Sequence, residues 1–108
     1  MLLTTTGART GRQRSVLLLA LHDDDRIVVT GANWGGPRNP AWYHNLMAHP
    51  EATVSTGRVS RPVVAHEAEG TERERLWATG LARVPVRLGT NWTDNPHRRI
   101  PVVVLTPR

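Results

Sequence analysis

Short apolar runs separated by tight turns constrain this chain more than any other feature. Strand-like runs occupy residues 2–6, 13–21, 26–30, 53–56, 59–68 and 100–105. Several of the connections are only a few residues long and contain glycine or aspartate, which is typical of β-hairpins. Parallel strands would require a helical crossover between successive runs. We therefore expect five or six mostly antiparallel strands, with Val16–Leu21 buried on both faces because it is continuously apolar.

Two stretches predict helices. Asn39 is a candidate N-cap and Pro40 suits the first helical position, so a helix should run from Pro40 to about Ala48 and stop before Pro50. Thr71–Glu74 has the pattern of a capping box and should open a second helix. Its apolar stripe would be Leu76, Trp77, Gly80, Leu81 and Val84.

The chain has 108 residues, which suggests a single domain over residues 1–108. One helix between hairpins and one late helix favour a mainly β (α+β) protein, in the form of a small β-barrel with appended helices. A two-layer α+β sandwich is the alternative.

Composition excludes several kinds of site and partner. There is no cysteine, so thiol chemistry, disulfides and zinc knuckles are excluded. His44 and His49 are spaced wrongly for one helix face, and we expect no metal site. The apolar runs are too short for a transmembrane segment, and the N-terminus does not resemble a secretory signal, so we expect a cytoplasmic protein.

The formal charge is +5, with arginine as the only basic residue besides histidine. Such a surface suits nucleic acid, an acidic metabolite or a phosphorylated cofactor. Nucleic acid ranks last, because no strand interleaves basic and aromatic residues.

The loop Gly7–Arg14 is one candidate binding segment. Two glycines would let the backbone approach a ligand, and arginine and threonine offer donors for phosphate oxygens. On spacing alone a solvated hairpin turn is the favoured interpretation. The segment Asn39–Leu46 is the second candidate, because a glycine-rich loop precedes a helix N-terminus, where N–H groups and the helix dipole favour anions.

In that segment, Trp42 and Leu46 would be buried anchors one helical turn apart. His44 is expected to be a ligand contact or a hydrogen-bonded surface residue in preference to a general base. Trp77 should be a core residue, whereas Trp92 could lie in the core, in a lid or at a ligand.

Several motifs together resemble one known family. They are Leu2–Gly7, Arg9–Arg12 with Arg14, Asn39–Leu46 with His49–Pro50, and Arg98–Leu105. In order and spacing, from Leu2 to about Pro107, they resemble the deazaflavin (F420)-dependent nitroreductase family. That family consists of split β-barrel oxidoreductases related to FMN-binding split barrels. The resemblance therefore implies a split β-barrel with a deazaflavin-like cofactor.

The cofactor implied is coenzyme F420, a deazaflavin with a phospholactyl oligoglutamate tail, and FMN is less favoured. By resemblance, the phosphate end of the tail would lie against Ala8, Arg9, Thr10, Arg14, Ser15 and Val16. The deazaflavin ring and ribityl chain would lie against Thr30, Gly31, Ala32, Asn33, Ala41, Trp42, Tyr43, His44 and Asn45. No catalytic protein nucleophile is implied, because the cofactor carries the chemistry.

The reaction implied is hydride transfer from reduced F420 to a small-molecule acceptor such as a quinone, an activated alkene or a nitro compound. The alternative is a non-catalytic deazaflavin-binding or carrier protein of the same fold, and a homodimer is possible. Two features depart from the family pattern: the chain starts almost on its first strand, and segment 84–97 has no tyrosine. Cofactor binding is therefore better supported than any particular substrate.

Overall fold

Antiparallel strands form one seven-stranded sheet in the computed structural model, which describes residues 1–31, 38–83 and 99–108. The strands are β1 (Leu2–Thr6), β2 (Gln13–Leu17), β3 (Leu21–Asp23), β4 (Arg26–Thr30), β5 (Glu51–Thr56), β6 (Val59–Glu67) and β7 (Val102–Pro107). The helices are α1 (Ala41–Ala48) and α2 (Gly70–Arg83). Their order confirms a mainly β fold with one helix between hairpins and one late helix.

The strand order across the sheet is β2-β1-β5-β6-β7-β4-β3. Three hairpins, β1–β2, β3–β4 and β5–β6, are therefore joined by pairings between strands distant in sequence. The long-range pairs are β1 with β5, β6 with β7, and β4 with β7. In the chain, α1 follows the β3–β4 hairpin and leads into β5, and in space it contacts β1 and β6.

Strand β7 is buried on both faces over most of its length. Val103 and Leu105 pack into one hydrophobic cluster with Trp42 and Leu46 of α1. Val102 and Val104 point the other way, into a second cluster with Leu76 of α2. This alternation follows from the two-residue period of a strand, and each fully buried valine or leucine contributes about 1.5–3 kcal/mol.

The expectation of burial for Val16–Leu21 is wrong. Strand β2 ends at Leu17, β3 begins at Leu21, and β2 lies at the end of the strand order. Leu17 is 77% exposed, while Val16 and Leu18 pack only partly against the core. A run of leucine and valine does not reveal whether its strand will be central or at an edge.

Both predicted helix starts are displaced, that of α1 by one residue toward the C-terminus and that of α2 toward the N-terminus. Pro40 occupies the N-cap position of α1, which begins at Ala41, so Asn39 precedes the cap. Helix α2 begins at Gly70, with the Arg73 N–H donating to the carbonyl of Glu69 (3.4 Å), so Thr71 lies within the first turn and the capping box does not form. Glu72, inside the predicted box, instead binds Arg26 and His66.

Other sequence expectations agree with the structure. Trp42 and Leu46 are buried, at 6% and 0% exposure. Trp77 is partly buried against the second cluster, with the Arg73 guanidinium 5.2 Å from its ring centroid. The irregular segment predicted at 84–97, including Trp92, lies outside the described residues, as do the side chains of Gly80 and Leu81.

Candidate functional site

The loop between β1 and β2 is tightly closed by its own hydrogen bonds. The Gly7 N–H donates to the Arg12 carbonyl (2.7 Å), and the Gly11 N–H donates to the Gly7 carbonyl (2.9 Å). The Arg12 N–H donates to the Thr10 hydroxyl (3.2 Å). A Cβ on Gly7 would lie 2.9 Å from Thr10 Oγ1, so only glycine fits there without a shift. Gly11 has a φ of 70°, which favours glycine.

Helix α1 holds this loop through one side chain. The Ala8 N–H donates to Asn45 Oδ1 (2.9 Å), and Asn45 Nδ2 donates to the Thr5 hydroxyl (3.1 Å). Asn45 and Thr5 are 8% and 2% exposed, so the bond between them is shielded from water, whereas Ala8 is exposed and its bond to Asn45 is partly buried. The loop and the helix are therefore held in a defined position relative to each other, with a space between them.

A cavity of about 1050 Å³ opens between the β1–β2 loop and the start of α1. Its lining is formed by Thr5, Gly7, Ala8, Arg9, Thr10, Arg14, Ser15, Val16, Arg38, Asn39, Pro40, Ala41, Trp42, His44 and Asn45. Three of these are arginines and none is acidic. Arginines that line a cavity favour an anionic ligand.

The N-terminus of α1 adds to this preference. Pro40 at the N-cap makes no side-chain cap hydrogen bond, and both Pro40 and Ala41 line the cavity. The first-turn N–H groups and the helix dipole attract negative charge. Val16, Pro40 and Trp42 supply apolar surface beside the arginines, so the cavity suits a ligand with a flat apolar part and an anionic part.

Most residues predicted to bind the cofactor meet at this cavity. Those that line it are Ala8, Arg9, Thr10, Arg14, Ser15, Val16, Ala41, Trp42, His44 and Asn45. The structure adds Thr5, Gly7, Arg38, Asn39 and Pro40. Thr5 could have been found from strand alternation, because it shares the inward face of β1 with Leu3. Arg38 could have been found as the cation that precedes the helix start.

Thr30 and Gly31 lie at the end of β4 and are not among the residues that line the cavity. A Cβ on Gly31 would meet Pro101 Cγ at 2.7 Å and Pro40 Cδ at 3.4 Å, so Gly31 allows the closing strand and the helix start to approach. Thr30 Oγ1 is buried and has no hydrogen-bond partner. Ala32 and Asn33, predicted from the resemblance to contact the ring, lie outside the described residues.

Tyr43 points away from the cavity. Its hydroxyl donates to a carboxylate oxygen of Glu67 on β6, and its ring packs against the core cluster of α1. The hydrogen bond to Glu67, together with burial, raises the pKa of Tyr43 to about 12. The ring also contacts His44 edge-on, with centroids 5.3 Å apart, and His44 lines the cavity.

Neither a metal cluster nor a membrane-spanning helix is found in the described part of the chain. No group of three or more histidine, aspartate or glutamate residues there could hold a metal ion. No helix in the same residues combines the length and apolarity needed to cross a bilayer.

Comparison with known proteins identifies the family. The model of the family described as F420H(2)-dependent quinone reductase matches residues 1–107. The F420H(2)-dependent quinone reductase Rv1261c of Mycobacterium tuberculosis is 36% identical over 113 residues, covering 100% of this chain and 73% of that protein.

Two solved structures share the fold. The structure of the F420-H2 dependent reductase FDR-A aligns with a TM-score of 0.81 and 33% identity, over 96% of this chain and 90% of that chain. A structure described as a domain-swapped dimer aligns with a TM-score of 0.82 and 33% identity, over 96% of this chain and 77% of that chain. The chain belongs to the F420H2-dependent quinone reductase family and is an F420-dependent reductase with a split β-barrel fold.

Proposed function

We propose that this protein binds coenzyme F420 in the cavity between the β1–β2 loop and α1, and that it reduces a quinone. The observation that carries the proposal is the lining of the cavity, in which the described residues include three arginines beside an apolar wall. Coenzyme F420 has the matching composition of a flat ring and an acidic tail. The family description supports a quinone as the acceptor.

The residues present fit this cofactor. Arg9, Arg14 and Arg38 can pair with the phosphate and carboxylates of the tail, since a guanidinium presents paired donors to such groups. Gly7 and Gly11 keep the loop compact enough for its backbone to approach a phosphate. Trp42, Val16 and Pro40 offer surface against which a planar ring can pack.

When bound, the reduced deazaflavin supplies the hydride. The protein's residues position the two reactants and stabilise charge. Arg14 and the first turn of α1 are placed to stabilise negative charge on a ring held against them. Trp42, nearly fully buried, fixes the apolar side of the cavity in one position. Neither a protein nucleophile nor a bound metal is needed for this chemistry.

Activated alkenes and nitro compounds are the other acceptors that this chemistry allows. A non-catalytic deazaflavin carrier is the second candidate function, because the same cavity would serve it. A homodimer is also proposed, supported by the similar structure described as a domain-swapped dimer. Sedimentation of the purified protein measures this directly. The cytoplasmic location stays a prediction from the sequence.

Cofactor titration tests the site. Wild-type protein should bind F420 with micromolar or tighter affinity and FMN more weakly, because FMN lacks the acidic tail. Arg9→Ala should weaken F420 binding about tenfold or more, which corresponds to loss of one charge-assisted contact. Arg12→Ala is the matched control, because Arg12 belongs to the same loop but does not line the cavity. Equal affinity for both cofactors, or equal effects of the two variants, would contradict the proposed site.

A turnover assay distinguishes the two candidate functions, a reductase and a non-catalytic carrier. F420H2 oxidation should be accelerated by the protein with a quinone as acceptor, followed by loss of the reduced cofactor and gain of the oxidised one. A panel containing a quinone, an activated alkene and a nitro compound ranks the acceptors. If tight F420 binding accompanies oxidation no faster than in the protein-free reaction, the carrier function is correct instead.

A further inference from the structure

We propose that Asn45 is a positioning residue for the acidic tail of the cofactor, acting through the β1–β2 loop without touching the ligand. This inference rests on the proposed function for the identity of the ligand. The hydrogen bonds of Asn45 are observed independently of that identity. Asn45 is buried at 8% exposure on α1, and both of its polar atoms are already engaged by the protein.

The two bonds of Asn45 link three parts of the site. Asn45 Oδ1 accepts from the Ala8 N–H in the loop (2.9 Å), and Nδ2 donates to Thr5 Oγ1 on β1 (3.1 Å). A backbone N–H can only donate, so the orientation of the amide is fixed by its partner at Ala8. The helix that forms one wall of the cavity thereby sets the position of the loop that forms the other.

Internal hydrogen bonds leave few loop donors for a ligand. The N–H groups of Gly7, Ala8, Gly11 and Arg12 all donate within the protein. Among the described residues, the backbone N–H groups of Arg9 and Thr10 have no such acceptor. By taking up the Ala8 N–H, Asn45 restricts the anion-binding backbone donors to the next two residues. Their side chains line the cavity as well.

An asparagine satisfies requirements that other side chains would not. An aspartate could accept from Ala8 but would place a negative charge beside a cavity lined by arginines for an anion. An alanine would leave the buried Thr5 hydroxyl and the N–H of the exposed Ala8 without their partner, and an unpaired polar group is costly where it is buried, as at Thr5. The loop would then shift to satisfy its own backbone, and the Arg9 and Thr10 donors would move with it.

The first experiment compares two ligands, F420 and its tail-less analogue 8-hydroxy-5-deazariboflavin. Asn45→Ala should weaken F420 binding about tenfold or more, while the affinity for the tail-less analogue changes less than about twofold. Thr5→Val, which removes only the second partner, should show the same selectivity with a smaller effect. Met47→Ala, an exposed position on the same helix, is the control and should alter neither affinity. Equal losses for both ligands would overturn the proposal, because they would place Asn45 against the ring or make it merely structural.

The second experiment needs no ligand. Amide hydrogen exchange, followed by NMR, should show the Ala8 N–H protected in the wild type and in Met47→Ala. It should exchange at least about tenfold faster in Asn45→Ala, while amides of the central strand β7 stay protected. Unchanged protection of Ala8 would overturn the proposal. If Asn45→Ala fails to fold, Thr5→Val carries the ligand comparison of the first experiment, because it removes one of the two bonds of Asn45. If the wild type does not bind F420 but the Ala8 N–H still exchanges faster in Asn45→Ala, only the proposed function is contradicted.

Discussion

Tyr43 is the single tyrosine of the chain, and its predicted contact with the cofactor stays a prediction. The family resemblance groups it with Trp42 and His44 as a cofactor contact. In the structure its hydroxyl donates to Glu67 on β6, and the cavity is lined by its neighbours instead. Successive residues of a helix point about 100° apart, so a contiguous motif cannot all face one ligand.

The titration of Tyr43 gives the first residue-scale prediction. Its pKa is raised from 10.0 to about 12 because the phenol donates to the Glu67 carboxylate and is partly buried. A raised tyrosine pKa favours the protonated folded state, so this contribution to stability is complete below pH 10 and is lost as the pH rises from 10 to 12. Since no other tyrosine contributes, tyrosinate absorbance in the ultraviolet measures this pKa directly.

Glu67→Gln should lower the pKa of Tyr43 toward its ordinary value, because the amide keeps an acceptor but removes the negative charge. Glu69→Gln is the matched control, since Glu69 contributes only a weaker, through-space effect on the same phenol. An unchanged titration in Glu67→Gln would show that the hydrogen bond to β6 does not form in solution. Circular dichroism at each pH confirms that the folded protein is being titrated.

At the scale of elements, α2 contacts the sheet through an ionic network as well as through the hydrophobic packing of Leu76. Asp23, at the end of β3, accepts from Arg75 of α2 (3.0 and 3.2 Å) and from Arg26 of β4 (2.6 Å). Glu72 of α2 accepts from Arg26 (3.2 Å) and lies 2.8 Å from the His66 ring on β6. The helix is therefore tied to three strands through its first two turns.

This network predicts an acid-dependent stability. The hydrogen bonds from Arg75 and then Arg26 lower the pKa of Asp23 from 3.8 to about 2. A lowered carboxyl pKa stabilises the fold above pH 3.8, and the contribution is lost as the pH falls from about 4 to 2. Because the pair is partly exposed, Asp23→Asn should reduce the free energy of unfolding by only about 1 kcal/mol at pH 6.

Urea unfolding at several pH values measures this effect. The difference between wild type and Asp23→Asn should shrink toward zero near pH 2. Asp25→Asn is the control, because Asp25 lies in the same turn without an ion pair to a described residue. A pH-independent difference would show that Asp23 acts through packing or turn geometry and not through its charge.

Secondary-structure elements could be predicted where the local sequence determines their type and their ends. The cores of β1, β4, β6 and α1 follow from alternation, from hairpin turns and from Pro50, which ends the helix. The break between β2 and β3 was not predictable, because it depends on which strands pair at the edge of the sheet. The start of α2 was also missed: the helix begins at Gly70, before the Thr71 that was predicted to cap it.

The site was predictable in part. The resemblance supplied residues on both walls of the cavity, and the arginine loop and helix start could each be read as anion-binding segments. Their meeting depends on the β1–β5 pairing and on the Asn45 bonds, which are long-range contacts without a local signal. Thr5 and Arg38 were missed because Thr5 was read only as part of the first strand and Arg38 only as part of the loop before α1.

At the scale of the whole molecule, charge gives the last prediction. The protein carries a formal charge of +5, and the described residues that line the cavity include three arginines. Exposed charges are screened beyond about 10 Å at 0.1 M salt, whereas contact pairs are screened less. Raising the salt from about 0.05 to 0.5 M should therefore weaken F420 binding by on the order of tenfold, because its tail carries several anionic groups.

FMN, with its single phosphate, should lose less affinity over the same range, and the tail-less deazaflavin should lose almost none. Arg9→Ala should flatten the salt dependence for F420 as well as lower the affinity, because one of the fixed cations is gone. Titrations of the three ligands at four salt concentrations measure these slopes. Equal slopes for all three would mean that the arginines of the cavity do not hold the tail, and that the ring alone accounts for binding.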